Sequence, residues 1–340
     1  VTSRCQLRCA HCYQEDHGGE GELPLEGLLG ILDQYRQLRM EWNRDHGHDA
    51  RGHVTVTGGE PFARSDIWAL LERLSACRNE FGFAILTNGE CVDAAMARRL
   101  KKLGAAFVQV SVEGSRETHD SIRGEGSLGR VERGLKHLIA DGVNTMVSFT
   151  AGAGNYLQFP EVVEFGARLG VGRVWTDRLI PCGSGASLET MNIKQTEEYL
   201  NIVAGQAGRR RGLLSKGTEV AAHRALQFIT AGGRPYRCNA GDGLITIMPD
   251  GALYPCRRMP AEAGNVTKAL LRDLYYQDGL MAKLRDPDNI PQACQGCIYK
   301  RFCGGGLRCL SFAECQDPFK ADPGCPLANK EEQAYMKMAL

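Results

Sequence analysis

The sequence predicts an α/β fold with a cysteine-rich C-terminal domain. Between residues 54 and 180, short runs rich in β-branched residues alternate with stretches of helical periodicity, which is typical of parallel strands joined by crossover helices. After Cys238 the composition changes, and eight of the 14 cysteines fall within residues 238–325. The first observation predicts a βα-repeat barrel or an open parallel sheet. The second predicts a segment whose structure depends on bound metal.

Six strands are expected in the first part of the chain. Because ligands of such folds bind at the carboxyl ends of the strands, we expect the loops that follow the strands to carry the chemistry. The expected strands are a truncated one at Val1 and residues 54–57, 83–87, 107–112, 143–149 and 173–180, and the expected helices lie near residues 65–78, 91–103, 127–141 and 157–169.

A helical bridge is expected next, with residues 219–230 as its clearest amphipathic stretch. Beyond it the sequence predicts a β-hairpin over residues 244–254, which turns at Pro249-Asp250-Gly251, and a helix over residues 266–285. The remainder is rich in Gly, Cys and Pro and lacks hydrophobic periodicity. The predicted domains are therefore residues 1–187, 188–235 and 236–340.

Charge and hydropathy exclude several classes of partner. The 41 Lys and Arg residues balance 40 Asp and Glu residues, so no net field would gather nucleic acid or an anionic membrane surface. The densest basic run, Arg209-Arg210-Arg211, is typical of a solvated loop, with contact to a charged substrate as the alternative. No apolar run approaches the roughly 18 residues of a membrane span, and no signal segment is present. We expect a cytoplasmic protein that binds neither nucleic acid nor a membrane.

Three cysteines lie close together near the start of the chain, in Cys5-Gln6-Leu7-Arg8-Cys9-Ala10-His11-Cys12. Three thiolates can bind three irons of a [4Fe–4S] cluster and leave the fourth iron open to a small molecule. An open position is typical of a catalytic metal site rather than a structural one. A zinc site completed by His11 or His17 is the alternative that this spacing leaves open.

Glycine and polar residues follow three of the expected strands. The first such loop is Thr57-Gly58-Gly59-Glu60-Pro61, where two glycines allow a close backbone approach and the proline ends the strand. The others are Thr87-Asn88-Gly89 and Ser111-Val112-Glu113-Gly114, the latter followed by His119-Asp120 and Arg123-Gly124. Each loop is also compatible with an ordinary turn that binds nothing.

Taken together, the cysteine triad and these loops resemble the radical S-adenosylmethionine (SAM) superfamily, whose signature is CxxxCxxC with an aromatic residue, here His11, before the third Cys. The resemblance implies a partial (β/α)6 TIM-like barrel in which Cys5, Cys9 and Cys12 hold a [4Fe–4S] cluster and SAM chelates its fourth iron. Glu113 stands where the family usually has Asp. The SAM contacts that the resemblance implies are His11, Gly58, Gly59, Glu60, Pro61, Asn88, Ser111, Glu113, Arg123 and Ile180.

The C-terminal cysteines resemble the SPASM domain of radical SAM maturases. Its pattern is C…G-x4-C, then C-x2-C-x5-C-x3-C, then a final C, and here Gly251 precedes Cys256 at the required distance. Leu307 stands at one pattern cysteine, and Cys309 follows two positions later. The cysteines that carry the resemblance or lie beside it are Cys238, Cys256, Cys294, Cys297, Cys303, Cys309, Cys315 and Cys325.

Eight thiolates could fully ligate two further [4Fe–4S] clusters, which would make three in the chain. The resemblance assigns Cys294, Cys297, Cys303 and Cys325 to the second auxiliary cluster. It leaves Cys238, Cys256 and Cys309 for the first, with the assignment of Cys309 against Cys315 open. A pair of structural zinc sites is the alternative for this region.

Three cysteines stand apart from both groups. Cys77 and Cys91 lie in or beside expected helices and are interpreted as buried small apolar residues. Cys182 follows the strand expected at residues 173–180, over the expected active site, where it could contact substrate or ligate a cluster.

The resemblance implies reductive cleavage of SAM to a 5′-deoxyadenosyl radical that abstracts hydrogen from a carbon. Proteins with this arrangement mostly modify peptides, so we expect a ribosomally made precursor peptide as substrate and a thioether or carbon–carbon crosslink as product. The alternatives are a sulfatase-maturase-like oxidation, tailoring of a haem precursor, and a structural metal-binding scaffold. We expect a reducing partner such as flavodoxin or ferredoxin. Because the chain opens at Val1, we also expect upstream residues, which could include a leader-peptide-binding module.

Overall fold

The computed structural model describes residues 1–209 and 217–328. At its centre is a sheet of six parallel strands whose spatial order follows the sequence. This arrangement confirms the predicted α/β fold and its six-stranded partial barrel, with the cysteine-rich segment as a C-terminal addition. The strands are β1 (Gly52–Val56), β2 (Phe81–Thr87), β3 (Val108–Ser111), β4 (Thr145–Ala151), β5 (Arg173–Arg178) and β6 (Glu219–Ala221).

In the described chain, one α-helix precedes the first strand, and six more lie in the crossovers between successive strands. They are α1 (Leu25–His46), α2 (Ile67–Ala76), α3 (Ala94–Leu103), α4 (Arg116–Arg123), α5 (Ser127–Ala140), α6 (Phe159–Leu169) and α7 (Ile193–Arg209). None of the helices in the described residues is long and apolar enough to cross a bilayer.

Apolar side chains between the sheet and the helices form the main core. Ile85, Val108 and Val147 on the strands are completely buried, and Leu100 and Leu135 on the helices are too. Branched side chains fit the pleated surface of a strand, and apolar residues three or four apart give each helix one buried face. This core fixes the carboxyl ends of the strands, where the predicted site loops lie.

Two predictions about the sheet are wrong. The stretch expected to be an amphipathic helix, residues 219–230, begins instead with strand β6, which pairs with β5 in the register Arg173 to Glu219. The open edge of β5 needs a hydrogen-bonding partner, and this tertiary requirement overrides the local helical periodicity. The segment at Val1 is no strand, although its amine donates to the Thr57 carbonyl at 2.7 Å and it lies along the loop after β1.

The C-terminal part contains the predicted hairpin. Strands β7 (Thr246–Ile247) and β8 (Leu253–Tyr254) pair antiparallel, and Gly251 supplies the positive φ of 88° that the turn requires. The helix expected over residues 266–285 is divided into two at Asp278, whose extended backbone ends one helix and whose side chain caps the next. The helices of this part are α8 (Phe228–Ala231), α9 (Leu271–Gln277), α10 (Gly279–Arg285), α11 (Lys300–Cys303) and α12 (Arg308–Cys315).

Several predictions fall at the margins of the described chain. Arg210 and Arg211 of the basic run lie outside it, as do residues 329–340 of the predicted third domain. The domain boundaries at 187 and 235 stay predictions.

Cys77 is buried as expected, but Cys91 is exposed because it lies in the turn that precedes α3.

Candidate active site

The three N-terminal thiols lie together in a tight loop at the carboxyl end of the sheet. Cys5, Cys9 and Cys12 are each half-buried. Burial is the main cause that raises the pKa of Cys9 to about 11; the Cys12 and Cys5 thiols add to the shift, whereas the Arg123 guanidinium opposes it. The Cys12 amide donates to the Cys9 carbonyl at 3.0 Å, and the Ala10 amide donates to the Ile122 carbonyl at 2.9 Å. The loop is therefore fixed both internally and to helix α4.

Hydrogen-bond donors from the loop and from the sheet point at these sulfur atoms. The amides of Leu7 and Gln14 lie 3.4 and 3.5 Å from the Sγ atoms of Cys5 and Cys12. Asn88 Nδ2 lies 3.9 Å from Cys5 Sγ, and Arg123 Nη1 lies 3.8 Å from Cys9 Sγ. Donors and a guanidinium around sulfur stabilise the thiolate form, which is the form that ligates iron.

Gly58 and Gly59 are needed for close packing between the loop after β1 and the start of the chain. A Cβ atom on Gly58 would lie 2.3 Å from the Thr2 carbonyl oxygen, and one on Gly59 would lie 2.5 Å from the Arg4 carbonyl oxygen. The Gly59 amide donates to that Thr2 carbonyl at 2.7 Å. The two glycines thus hold the segment that leads directly into Cys5.

Glu60 joins the first two site loops. Its buried carboxylate accepts hydrogen bonds from the Thr87 hydroxyl at 2.8 Å, the Asn88 amide at 2.8 Å and the Phe62 amide at 3.2 Å. Burial raises the pKa of Glu60 to about 7, although these hydrogen bonds oppose the shift. Pro61, also buried, begins a short 3-10 helix after it.

Glu113 is at the centre of a buried charge network that sequence reasoning missed. Its carboxylate is completely buried, and Oε1 lies 3.1 Å from His11 Nε2 and 3.2 Å from Arg123 Nε. The Thr150 amide donates to Oε2 at 3.0 Å. Burial alone would raise the pKa of Glu113, but Arg123 and His11 outweigh it and hold this pKa well below its usual range.

Both Glu113 oxygens contact protein groups in this network, and the predicted contact from Glu113 to SAM stays a prediction. The sequence feature that could have indicated this network is an acidic residue at the end of a strand, Glu113, followed ten residues later by Arg123. His11 Nδ1 is buried and has no hydrogen-bond partner among the described residues. A buried polar atom without a partner is costly unless a ligand satisfies it, so His11 fits a site that holds a polar small molecule.

The remaining predicted contacts lie around the same end of the sheet. Ser111 is the last residue of β3 and is half-buried. Ile180 lies just beyond β5 and is buried in the hydrophobic cluster that also contains Cys256 and Cys309. Ile180 therefore belongs to the junction between the sheet and the C-terminal part.

One C-terminal cavity is lined by four thiols. Cys294, Cys297, Cys303 and Cys325 surround it, together with apolar residues that include Phe228. Burial raises the pKa of Cys294 to about 12 and that of Cys325 to about 11. The four thiols of this largely apolar cavity are the donor set that a [4Fe–4S] cluster takes.

Three further thiols lie beside the hairpin. Cys256 and Cys309 are buried, and Cys238 packs against the same hydrophobic cluster. Burial raises the pKa of Cys309 well above its usual range; the thiols of Cys256 and Cys238 raise it further, whereas the Arg258 guanidinium opposes the shift. Arg258 also donates to Asp177 at 2.8 Å, so a partly buried charge pair adjoins these thiols.

Single metal ions are a poorer fit to these thiols than clusters. In the described part of the chain, no three His, Cys, Asp or Glu side chains are arranged to hold one ion. The thiols of each set nevertheless lie near enough to shift one another's pKa. A [4Fe–4S] cluster binds each thiolate through a different iron, so its ligands need not converge on one point.

Two family models match the chain. Residues 1–165 match the radical SAM superfamily, and residues 238–298 match the SPASM iron–sulfur cluster-binding domain. The chain belongs to the radical SAM superfamily. This radical SAM protein is accordingly an enzyme whose cofactors are SAM and [4Fe–4S] clusters, as the resemblance implied.

Curated relatives of this radical SAM enzyme are named for different products. Fe-coproporphyrin III synthase from Methanosarcina barkeri is 25% identical over 98% of this chain and 88% of its own. Mycofactocin maturase MftC from Mycobacterium ulcerans is 27% identical over 96% of this chain and 86% of its own.

The solved structures similar to the enzyme include SuiB from Streptococcus suis. SuiB bound to S-adenosylmethionine has a TM-score of 0.72 at 18% identity, covering 96% of this chain and 75% of that one. SuiB bound to precursor peptide SuiA has a TM-score of 0.72 at 17% identity, covering 96% and 74%. At this identity the likeness establishes the fold.

Proposed function

We propose that this radical SAM enzyme modifies a ribosomally made precursor peptide by forming a thioether or carbon–carbon crosslink. The observation that carries the proposed chemistry is the convergence of Asn88, Arg123 and backbone amides on the thiols of the triad loop. The peptide substrate is supported by two similar proteins, of which one is a maturase and the other was solved with a precursor peptide.

The chain's own residues have distinct tasks in this proposal. Cys5, Cys9 and Cys12 would hold the SAM cluster, and the glycine-rich loop at Gly58 and Gly59 would present its backbone to SAM. When bound, the cluster and SAM supply a carbon-centred radical that abstracts hydrogen from the substrate, and auxiliary clusters supply further one-electron chemistry. The His11–Glu113–Arg123 network would orient the donors around the site.

Three [4Fe–4S] clusters and an external reductant complete the proposal. Eleven of the 14 cysteines are candidate ligands for three clusters: the triad, the three thiols beside the hairpin with Cys315 as a fourth candidate, and the four thiols that line the cavity. Full loading would bring about twelve irons per chain, by the stoichiometry of the cluster. A small electron-transfer protein such as flavodoxin or ferredoxin would supply the electron.

Tailoring of a haem precursor is the second candidate. It is favoured by the relative from Methanosarcina barkeri, which covers almost the whole chain and is named an Fe-coproporphyrin III synthase. The two candidates share the radical chemistry and differ only in the molecule that gives up hydrogen.

Parallel anaerobic reactions with SAM and dithionite separate these candidates. One contains synthetic peptides translated from any short open reading frames beside the gene, and the other contains haem-precursor tetrapyrroles, because the name of the relative makes Fe-coproporphyrin III its product. We expect a peptide to lose the mass of two hydrogen atoms and the tetrapyrroles to remain unchanged. The control is Cys91→Ala, which removes a thiol outside all three sets and should retain the reaction. A mass change in a tetrapyrrole alone would replace the peptide proposal with the second candidate.

A further inference from the structure

Cys182 lies between the SAM-cluster loop and the C-terminal thiols. It follows β5 by four residues, and the turn that it begins packs on the triad loop. The Gly185 amide donates to the Cys12 carbonyl at 3.1 Å, and the Ser184 hydroxyl donates to the Gln14 carbonyl at 2.9 Å. A Cβ atom on Gly183 would lie 2.3 Å from the carbonyl carbon of Tyr13, so the backbone of this turn packs directly against the backbone of the triad loop.

On its other side Cys182 joins the thiols beside the hairpin. Cys182, Cys238, Cys256 and Cys309 all belong to one hydrophobic cluster. The Cys182 thiol lies within electrostatic range of the thiols of Cys256 and Cys12. Four thiols from three separate segments therefore meet at the junction between the sheet and the C-terminal part.

Cys315, the other candidate for this set, occupies a different place. It ends helix α12, whereas Cys309 lies near the start of that helix. Six residues of helix separate two side chains by about 9 Å along the axis and turn them about 240° apart. The charged groups within electrostatic range of the Cys315 thiol are Glu314, Lys320 and Asp317. Cys315 thus faces polar groups while Cys309 faces the other thiols.

The charges around the four thiols suit anionic ligands. The Arg258 guanidinium lies within electrostatic range of the Cys182, Cys238 and Cys309 thiols. Asp177 pairs with both Arg258 and Arg224, each at 2.8 Å, so these three groups carry a net positive charge. A cation beside thiols favours the thiolate state that iron requires.

We propose that Cys182 is the fourth thiolate of the first auxiliary [4Fe–4S] cluster, with Cys238, Cys256 and Cys309, and that Cys315 is not a ligand. The inference rests on the proposed auxiliary clusters but not on the identity of the substrate. It places one ligand in the loop that also packs on the SAM-cluster triad. The first auxiliary cluster would thereby be attached to the barrel as well as to the C-terminal domain.

The test uses the full chain carrying Cys5→Ala, Cys9→Ala and Cys12→Ala, in which every remaining cluster is auxiliary. This parent receives one further substitution, which is Cys182→Ala, Cys315→Ala or Cys91→Ala. Each of the resulting proteins is reconstituted anaerobically. Iron and sulfide are counted, and electron paramagnetic resonance spectra of the reduced proteins are recorded with and without added cyanide. Cyanide binds iron only where a protein ligand is missing, so it reports an open position.

We expect cyanide to change the spectrum of Cys182→Ala and to leave the parent, Cys315→Ala and Cys91→Ala unchanged. Loss of about four irons from Cys182→Ala, with the signal of the other cluster retained, would support the same assignment. Cyanide sensitivity of Cys315→Ala, or a Cys182→Ala spectrum identical to the parent's under both conditions, would overturn it. A parent that holds fewer than about eight irons would instead contradict the proposal of two auxiliary clusters.

Discussion

Glu113 shows how one buried residue organises the active site. It pairs with Arg123 and His11, and both of these adjoin the triad: Arg123 reaches Cys9 Sγ, and His11 directly precedes Cys12. A carboxylate is suited to this position because two cationic or donor groups approach it without access to water. Glu113 therefore acts as a positioning residue for the groups around the cluster.

Replacing Glu113 by Gln should leave Arg123 as an uncompensated buried charge. We expect the free energy of unfolding to fall by about 3 kcal/mol, which is typical for breaking a buried pair. The rate of 5′-deoxyadenosine formation should fall at the same time. Urea unfolding and a chromatographic assay of 5′-deoxyadenosine measure the two effects.

Glu117→Gln is the matched control, because Glu117 is an exposed acid on the helix that carries Arg123. It should leave both quantities nearly unchanged. If Glu113→Gln retained the stability and the rate of the unmodified enzyme, the network would have no positioning role.

Gly59 has a steric role that is independent of SAM. A Cβ atom there would overlap the carbonyl oxygens of Ser3 and Arg4, just before Cys5. We expect Gly59→Ala to displace this segment and to lose about four irons per chain, the content of one cluster. Gly154→Ala is the control, since a Cβ on Gly154 would meet nothing within 4 Å. Full iron loading of Gly59→Ala would show that the segment tolerates the displacement.

At the level of elements, β5 connects the barrel to the C-terminal part. Arg178, the last residue of β5, forms a bidentate pair with Asp322, and one of its bonds measures 2.7 Å. Both side chains are almost completely buried. The Leu307 and Gly324 amides also donate to Asp322, so this single carboxylate fixes the loops that carry Cys303, Cys309 and Cys325.

Asp322→Asn should destabilise the junction by about 3–5 kcal/mol, because the buried Arg178 guanidinium loses its countercharge. Asp288→Asn is the control, since Asp288 and its partner Arg301 are both 77% exposed and lie 3.9 Å apart. An exposed pair of this kind contributes at most about 1 kcal/mol. Equal urea midpoints for the two variants would contradict the role given to Asp322.

The elements also show what sequence patterns can predict. β1 to β5 and the hairpin were predictable because alternating hydrophobic runs and a Pro-Asp-Gly turn are local signals. β6 was not, because its three residues become a strand only by pairing with the edge of β5. Helix α12 was not predicted either, because its buried face is made of cysteine and polar residues as well as Leu310.

At the scale of the whole molecule, the site residues fall into two groups: those that a local sequence pattern identifies and those that only the folded chain brings together. The triad and the cavity-lining cysteines have fixed spacings, so they could be grouped from the sequence alone. Cys182, Arg258 and Asp177 come from distant segments and meet only after the barrel and the C-terminal part have packed together. No local pattern distinguishes such residues from ordinary buried ones.

The central claim is that the enzyme cleaves SAM at the cluster held by Cys5, Cys9 and Cys12. The most direct measurement is 5′-deoxyadenosine formed by anaerobically reconstituted enzyme with SAM and dithionite, beside the Cys5→Ala, Cys9→Ala, Cys12→Ala variant. We predict 5′-deoxyadenosine and methionine in equal amounts from the enzyme and neither from the variant. An iron-loaded enzyme that forms no 5′-deoxyadenosine, or a variant that forms as much as the enzyme, would contradict the claim.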